Sequence, residues 1–124
     1  MTAKVMLIED DYTMLSLLRT LLRFEKFEVA AVEYDSDLPT MLEAIRRELP
    51  DIILMDVHLR QINGLDLLHA IRSDESTRSA RVIMTSGIDM SQRCLEKGAD
   101  AFILKPYMPE DLIQKIRQVM AYEN

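Results

Sequence analysis

The sequence is poor in cysteine and has no long apolar run, and both absences exclude classes of protein. With Cys94 as the single thiol, an internal disulfide is impossible, and a free thiol is compatible with a reducing cytosol. The apolar stretch after Lys4 is interrupted at Glu9, so it is too short for a signal peptide or a membrane span. We therefore expect a cytoplasmic protein that does not contact membranes.

Basic residues are also in deficit. The chain has 15 Lys and Arg against 21 Asp and Glu, a formal net charge of −6, which disfavours direct binding to nucleic acid. Its 124 residues, 48% of them hydrophobic, are enough for one core that needs no disulfide or structural metal. Because no linker, repeat or low-complexity tract interrupts the pattern, we predict a single domain over residues 1–124.

Glycine is scarce as well, and all three glycines fall where the chain is predicted to turn. Between the turns, short apolar runs alternate with segments of helical periodicity. The predicted strands are residues 5–8, 27–32, 52–55, 82–84 and 102–104. Runs without polar alternation are typical of a parallel sheet covered on both faces, which indicates an α/β fold.

The helical segments follow the strands one by one. They are predicted at residues 12–24, from 38 to the break before Pro50, at 65–73, at 91–97 and from 109 onward. The second helix is expected to bury an apolar stripe of Leu38, Met41, Leu42 and Ile45, with Leu49 as a further candidate. Five strand-helix units result.

The predicted strands end in polar residues that form a chemically matched set. Glu9, Asp10 and Asp11 follow the first run, and Asp56, Thr85 and Lys105 follow the third, fourth and fifth. Of these, Asp11 is assigned to the start of the first helix. The carboxyl ends of parallel strands share one edge of the sheet, where open α/β folds place their chemistry. We therefore expect the remaining carboxylates, the hydroxyl and the ammonium to lie within reach of one another.

Carboxylates held close together repel, so they either share protons or bind a cation. Oxygen ligands without a convergent His or Cys favour Mg²⁺ over zinc or copper, and Glu9 with Asp10 is the natural cation-binding pair. Lys105 would offset charge on a phosphoryl oxygen, and the Thr85 hydroxyl would donate a hydrogen bond to another. Asp56 stands alone after its run and is the candidate nucleophile.

Taken in order and spacing, these residues resemble a known family. The set comprises Glu9-Asp10, Asp56, Gly64, Thr85-Ser86, Gly98-Ala99-Asp100 and Lys105-Pro106. Each of these motifs alone is weak evidence for a family. Together with five apolar runs, in this order and spacing, they are specific, and the likeness covers essentially the whole chain. The chain resembles a receiver domain of the two-component response-regulator family. This resemblance implies a flavodoxin-like, doubly wound α/β fold, with a five-stranded parallel sheet of order 2-1-3-4-5 and five flanking helices.

The resemblance also implies a role for each site residue. Asp56 would accept a phosphoryl group from the phosphohistidine of a histidine kinase and become an acyl phosphate. Asp10 and Asp56 would ligate Mg²⁺ directly, with the backbone carbonyl of His58 as third protein ligand. Glu9 would act on the same ion through water. Lys105 would bind the phosphoryl group.

A conformational switch is a further implication of the resemblance. Thr85 would move toward the phosphoryl group and the ring of Phe102 would turn inward, altering the surface of the fourth helix, fifth strand and fifth helix. Judged without the family, Phe102 is more simply a core residue. The family pattern implies a cis bond between Lys105 and Pro106. The short segment between Thr85 and Lys105 predicts an abbreviated fourth helix.

The function implied is a phosphorylation-dependent signalling switch, not an enzyme, that assists its own phosphorylation and dephosphorylation. Its partners would be a sensor histidine kinase or phosphotransfer protein and an output domain or downstream effector. A phosphorylation-dependent homodimer is left open. The sequence ends just after the last helix, so no effector domain is expected within it. The residues do not distinguish a stand-alone receiver from a piece of a larger regulator.

Two rival functions stand beside this one. An aspartate-nucleophile phosphatase would need a cap domain and a second acid two residues after Asp56, where this chain has His58. A phosphate-independent, receiver-like interaction module would not need the carboxylates, the hydroxyl and the ammonium to be intact together. A flavin-binding domain is more distant, because no hydroxyl-rich loop follows the first strand.

Overall fold

The computed structural model describes residues 2–31 and 36–121 and, within them, five strands that alternate with five helices. In chain order these are β1 (Lys4–Ile8), α1 (Tyr12–Phe24), β2 (Glu28–Ala31), α2 (Leu38–Glu48), β3 (Ile52–Asp56), α3 (Gly64–Ser73), β4 (Arg81–Ser86), α4 (Ser91–Glu96), β5 (Ala101–Leu104) and α5 (Pro109–Ala121). None of the helices in these ranges has both the length and the apolar character of a membrane span.

All strand pairs are parallel, and their order is β2-β1-β3-β4-β5. This confirms the predicted α/β class and strand order. Ile8 of β1 is in register with Met55 of β3, and Asp56 is in register with Thr85 of β4. The register therefore brings the polar residues at the ends of β1, β3 and β4 to one edge of the sheet.

The sheet is covered on both faces because successive side chains of its strands point to opposite sides. Met6 and Ile8 pack into a core that also contains buried residues of α2, α3 and α4. Val5 and Leu7 pack into a second core with buried residues of α1 and α5. Cys94 of α4 is buried in the first core, as expected of a packing residue. The fold is thus doubly wound, as predicted.

The first three helices begin at side-chain caps. Asp11, Asp37 and Asn63 precede α1, α2 and α3, and each accepts a hydrogen bond from an amide in the first turn. Asp11 Oδ1 lies 2.9 Å from the amide nitrogen of Thr13, which confirms its assignment as a helix start. The chain therefore turns from the carboxyl edge of the sheet directly into α1.

Besides shifts of one or two residues at the ends of other elements, two details of α2 and β2 differ from the sequence-based expectations. Leu49 is 60% exposed rather than buried, because α2 ends at Glu48 and Leu49 takes a left-handed conformation with φ of 46°. The strand predicted at 27–32 is observed only as Glu28–Ala31, and Val32 lies outside the described residues. The fourth helix is abbreviated as predicted, since α4 has six residues.

Candidate functional site

Glu9, Asp10 and Asp56 meet at the carboxyl edge of the sheet. Each offers one carboxylate oxygen, and these oxygens all lie within 4.8 Å of one another. The meeting follows from topology, since β1 and β3 are neighbours and end at the same level. Glu9 and Asp56 are only 4% and 7% exposed, so their charges have little water around them. Asp11 is exposed and serves as the cap of α1 instead.

Lys105 reaches the cluster from the end of β5, two strand positions away from β3. Its Nζ lies 2.5 Å from Asp56 Oδ2 and 3.1 Å from Glu9 Oε1. Lys105 directly follows β5, which is separated from β3 by β4, so the long side chain spans two strand positions. The bond between Lys105 and Pro106 is cis, as the family pattern implied. One ammonium is thus shared between two carboxylates that are 47 residues apart in sequence.

The carboxylate of Asp56 is held in place from its own loop. Its Oδ1 accepts a hydrogen bond of 2.9 Å from the amide of His58, while Oδ2 faces Lys105. The amide of Val57 donates to the carbonyl of Thr85 at 2.9 Å, which ties the end of β3 to β4. The backbone of His58 therefore lies beside the carboxylate of Asp56, although His58 as a residue is exposed.

Gly64 packs directly against this loop at the start of α3. Its amide donates a 2.7 Å hydrogen bond to the carbonyl of Val57. A Cβ at Gly64 would overlap the carbonyl oxygen of Asp56 and would lie 3.0 Å from Val57 Cα. Both neighbours are backbone, so relief requires the loop that carries Asp56 to move.

Gly64→Ala is therefore expected to lower the free energy of unfolding by about 1–3 kcal/mol, the usual cost of overpacking, and to weaken Mg²⁺ binding. Chemical denaturation and a Mg²⁺ titration measure the two effects. Gly87→Ala is the matched control, because, its two chain neighbours apart, no heavy atom of the described residues lies within 4 Å of its added Cβ. A Gly64→Ala protein that matches wild type in both measurements would show that the loop is not constrained here.

Thr85 contributes a buried hydroxyl at the same edge. The residue is 1% exposed, and its Oγ1 has no hydrogen-bond partner among the described residues. A buried hydroxyl without a partner is costly, on the order of 1–3 kcal/mol. Thr85 is in register with Asp56 on the adjacent strand, so this donor is available next to the acidic cluster.

Phe102 and the histidines complete the list of candidate residues. Phe102 is half-buried on β5, in register with Met84, and packs against the core on the α2–α3–α4 face. This packing agrees with the simpler interpretation of Phe102 as a core residue. His58 and His69 are both exposed, and neither belongs to the acidic cluster.

Burial and neighbouring charges shift the pKa values of Glu9 and Lys105. Burial raises the pKa of Glu9, and the hydrogen bond from the Asp11 amide and the charge of Lys105 only partly offset this. Burial acts to lower the pKa of Lys105, but its hydrogen bond to Asp56 and the charges of Glu9 and Asp56 prevail and raise it. The ammonium is therefore held firmly protonated, whereas Glu9 carries its charge at a cost.

A raised pKa in the folded state predicts a pH dependence of stability. Above the ordinary pKa of 4.5 the folded protein retains the Glu9 proton longer than the unfolded chain. Stability contributed by protonated Glu9 is therefore present below that pH and is lost as pH rises through the raised pKa. In EDTA, the free energy of unfolding of wild type minus that of Glu9→Gln should fall across this window. A flat or rising difference would contradict the shift.

The donor set fits a small, hard divalent cation. Three carboxylates supply only oxygen, and neither Cys nor His joins them among the described residues. Mg²⁺ prefers such oxygen ligands and retains several waters, whereas zinc and copper favour nitrogen and sulfur. Repulsion between the carboxylates also makes binding of a positive ion at this site favourable. The acidic cluster is therefore consistent with a Mg²⁺ site at this edge of the sheet.

Tyr107 is a part of this region that the sequence pattern does not single out. Its hydroxyl is buried without a hydrogen-bond partner among the described residues. Burial raises the pKa of Tyr107, and the charges of Glu9, Lys105 and Asp56 also act on it. Its position two residues after Lys105 is the one sequence feature that could have pointed to a place in this site. An aromatic residue at that position is equally compatible with core packing, so the sequence does not distinguish the two.

Comparison with known proteins places this geometry in context. Residues 5–117 match the family model described as "Response regulator receiver domain". The chain is 31% identical to the DNA-binding response regulator MtrA of Mycolicibacterium paratuberculosis, over 94% of this chain and 51% of that protein. It thus spans about half the length of the curated relatives that it matches first.

Solved structures agree with the fold. A putative response regulator from Chloroflexus aurantiacus superposes with a TM-score of 0.87 at 26% identity, covering 98% of this chain and 99% of that one. The receiver domain of sensor histidine kinase PA1611 from Pseudomonas aeruginosa superposes with a TM-score of 0.83 at 22% identity, over 98% and 99% of the two chains. That structure has a magnesium ion coordinated in its active site cleft.

Proposed function

Because the chain belongs to the response regulator receiver domain family, we propose that it is a signalling switch whose phosphoacceptor is Asp56. The observation that carries the proposal is the convergence of one ammonium and three carboxylates at a single edge of the sheet. Lys105 Nζ lies 2.5 Å from Asp56 Oδ2, and an oxygen of Asp10 lies within 4.8 Å of one on Asp56. A nucleophile, its counter-charge and a cation-binding pair are the parts that phosphoryl transfer requires.

The chemistry begins at the carboxylate of Asp56. One of its oxygens attacks the phosphorus of a phosphohistidine, the P–N bond breaks, and the imidazole leaves with the bonding electron pair. An acyl phosphate forms on Asp56. Lys105 exchanges its contacts with the two carboxylates for a phosphoryl oxygen, and the Thr85 hydroxyl donates to another. The chain thereby assists its own phosphorylation and dephosphorylation without acting on a separate substrate.

Glu9, Asp10, Asp56 and the backbone carbonyl of His58 are the groups that would hold Mg²⁺. When bound, the ion supplies positive charge where carboxylates and phosphoryl oxygens would otherwise repel. Glu9 and Asp10 hold their places through the register of β1 with β3 and the hydrogen bond from the Asp11 amide to Glu9 at 3.1 Å. Their separation is thus set by the backbone before any ion arrives.

Thr85 and Phe102 are the proposed switch residues, and the surface of α4, β5 and α5 is the proposed output. Leu95 and Leu104 are about half exposed on that surface, at 49% and 48%, so apolar area is available to a partner there. The proposed partners are a sensor histidine kinase or phosphotransfer protein upstream and an output domain or effector downstream. A second copy of the phosphorylated chain is an open alternative for the same surface.

Thr85→Ala tests the switch separately from the chemistry. The variant should still gain a phosphoryl group, because Asp56 and the cation ligands are untouched. Its change in amide exchange over α4, β5 and α5 on phosphorylation should be much smaller than that of wild type. An unchanged exchange response would remove Thr85 from the switch. Ser86→Ala is the control, since it removes a neighbouring buried hydroxyl.

The central test is incubation with a small phosphodonor, with Mg²⁺ or with EDTA. We expect one phosphoryl adduct in Mg²⁺, mapped to Asp56 by tandem mass spectrometry, and almost none in EDTA. Absence of any adduct would favour the phosphate-independent interaction module. Repeated turnover of a phosphomonoester substrate would favour the phosphatase.

A further inference from the structure

Arg72 on α3 joins two loops at the amino edge of the sheet, where the strands begin, opposite the acidic cluster. Its Nη1 donates to the carbonyls of Arg78 and Ala80 at 2.8 and 2.7 Å, in the loop between α3 and β4. Its Nε donates to the carbonyl of Gly98 at 2.9 Å, and its Nη2 pairs with Asp100 Oδ2 at 2.9 Å, both in the loop between α4 and β5. Because a guanidinium is planar and carries several donors in fixed directions, this one side chain holds the two loops together.

The carboxyl end of α4 is fixed by these contacts. Asp100 Oδ2 also accepts a hydrogen bond from the amide of Val82 on β4 at 2.8 Å, and the Asp100 amide donates to the carbonyl of Val82 at 2.9 Å. Gly98 leaves α4 with a φ of 108°, and a Cβ there would lie 3.3 Å from Arg72 Cγ. The contacts of Arg72 with Gly98 and Asp100, here called the α4 anchor, therefore tie the end of α4 to both α3 and β4.

The amino end of α4 lies at the carboxyl edge of the sheet, close in sequence to Thr85, and it is held differently. Met90 occupies the N-cap position and makes no side-chain cap hydrogen bond within the described residues. Asp89 accepts from the amide of Ser91 at 3.0 Å, a contact within the loop itself. A Cβ at Gly87, its two chain neighbours apart, would have no heavy atom of the described residues within 4 Å. This end of the helix therefore has room to move.

We propose that α4 pivots about the α4 anchor when Asp56 is phosphorylated, so that its amino end moves with Thr85 and its carboxyl end stays in place. The inference rests on the proposed function, because the displacement of Thr85 drives the motion. A helix held at one end converts a small displacement at its other end into a rotation, and the anchor sets the axis of that rotation. Arg72 is thus a positioning residue that acts from the edge opposite the phosphoryl group.

The pivot is tested by amide chemical shifts of wild type in Mg²⁺, measured with and without the phosphoryl adduct. Ser91 and Cys94 report on the amino half of α4, and Val82 and Asp100 report on the anchor, where their amides are hydrogen-bonded to each other's residue. The shift changes on phosphorylation should be severalfold larger at Ser91 and Cys94 than at Val82 and Asp100. Changes of equal size at both ends would mean that α4 moves as a whole and would overturn the proposal.

Arg72→Lys tests the anchor, because lysine keeps the positive charge but lacks the planar set of donors that reaches both loops. Adduct formation should proceed at the wild-type rate, since residue 72 lies at the opposite edge from Asp56. The shift changes at Val82 and Asp100 on phosphorylation should rise to about those at the amino end of α4. Each change is a difference between two states of the same variant, so a loss of stability alone does not produce this pattern.

Arg46→Lys is the matched control. Arg46 pairs with Asp74 just after α3 at 2.9 Å and with Glu43 on α2 at 3.2 Å, so the same substitution removes a comparable set of contacts on the α2 side of α3. The control should keep the wild-type pattern of shift changes. An Arg72→Lys protein with that same pattern would overturn the role of Arg72.

Asp100→Asn is measured as well, so that the test does not depend on the folding of Arg72→Lys. It removes the charge that pairs with Arg72 and keeps an oxygen that can accept from the Val82 amide. The shift change at Val82 on phosphorylation should increase, and a wild-type value there would contradict the anchor. Absence of an adduct on wild type would overturn the proposed function and this inference with it. A normal adduct with either contrary pattern overturns the inference alone.

Discussion

Replacement of Asp56 by Asn is expected to abolish the phosphoryl adduct. An amide oxygen carries no negative charge and cannot form a stable acyl phosphate, and the cation site loses one of its three carboxylates. Wild type and variant are incubated with phosphodonor and Mg²⁺, and intact mass is followed over time. The adduct on the variant should stay below detection under conditions that modify wild type completely.

The fold of Asp56→Asn should survive this change. Asp56 uses both oxygens as acceptors, Oδ1 for the His58 amide and Oδ2 for Lys105, whereas an amide has one acceptor. One of these donors therefore loses its partner at a cost of about 1–3 kcal/mol, partly offset by weaker repulsion with Glu9. Far-UV circular dichroism and thermal melting check that the loss of adduct is chemical.

Asp11→Asn is the matched control for this experiment. Asp11 lies at the same edge of the sheet but caps α1, and Asn caps helices as well as Asp does. The control should therefore gain the adduct at the rate of wild type. An undiminished adduct on Asp56→Asn would mean that another side chain is the phosphoacceptor, and the proposed chemistry would have to be abandoned.

Lys105→Met is the second change with a large expected effect. The side chain is 24% exposed, and its removal leaves Glu9 and Asp56 facing each other without their shared cation. In EDTA we expect a loss of about 1–3 kcal/mol in the free energy of unfolding, between the values for surface and fully buried ion pairs. Addition of Mg²⁺ should recover much of the loss, because the same carboxylates regain a positive charge.

The chemistry should suffer more than the stability. Without the ammonium, one phosphoryl oxygen lacks its counter-charge, so the rate of adduct formation should fall about 100-fold even at saturating Mg²⁺. Lys115→Met, the same substitution on α5, should behave as wild type. Adding Glu9→Gln to Lys105→Met should restore stability in EDTA, since it removes the repulsion; a purely additive double variant would contradict this electrostatic origin.

The main polar residues of the site could be predicted because each follows directly after an apolar run. Uninterrupted runs predict parallel strands, and parallel strands place their last residues at one edge. The same rule predicts that Asp56 and Lys105 lie at that edge, although they are 49 residues apart. The assignment of Asp11 as a helix start is equally local, since it depends on residue type and on position relative to the following helix.

Features that depend on contacts between distant segments were not predictable in this way. Arg72 of α3 donates to the carbonyls of Arg78, Ala80 and Gly98 and forms a 2.9 Å ion pair with Asp100. It joins two loops, the one between α3 and β4 and the one between α4 and β5, yet in sequence it is one arginine among several. The expected burial of Leu49 was wrong for a related reason. Helical periodicity in the sequence continues past the residue at which the backbone leaves the helix.

The order of residue types along the chain determined by itself the class of fold, the polar edge and the identity of its carboxylates, hydroxyl and ammonium. These follow from hydrophobic periodicity and strand direction, which are local properties of the sequence. Only the tertiary structure decided that the Lys105 ammonium is shared between Glu9 and Asp56 and that Gly64 touches the backbone of Asp56. It alone also shows that the buried hydroxyls of Thr85 and Tyr107 have no partner within residues 2–31 and 36–121. Such facts depend on ångström-scale distances between segments brought together by packing, and no spacing along the chain encodes them.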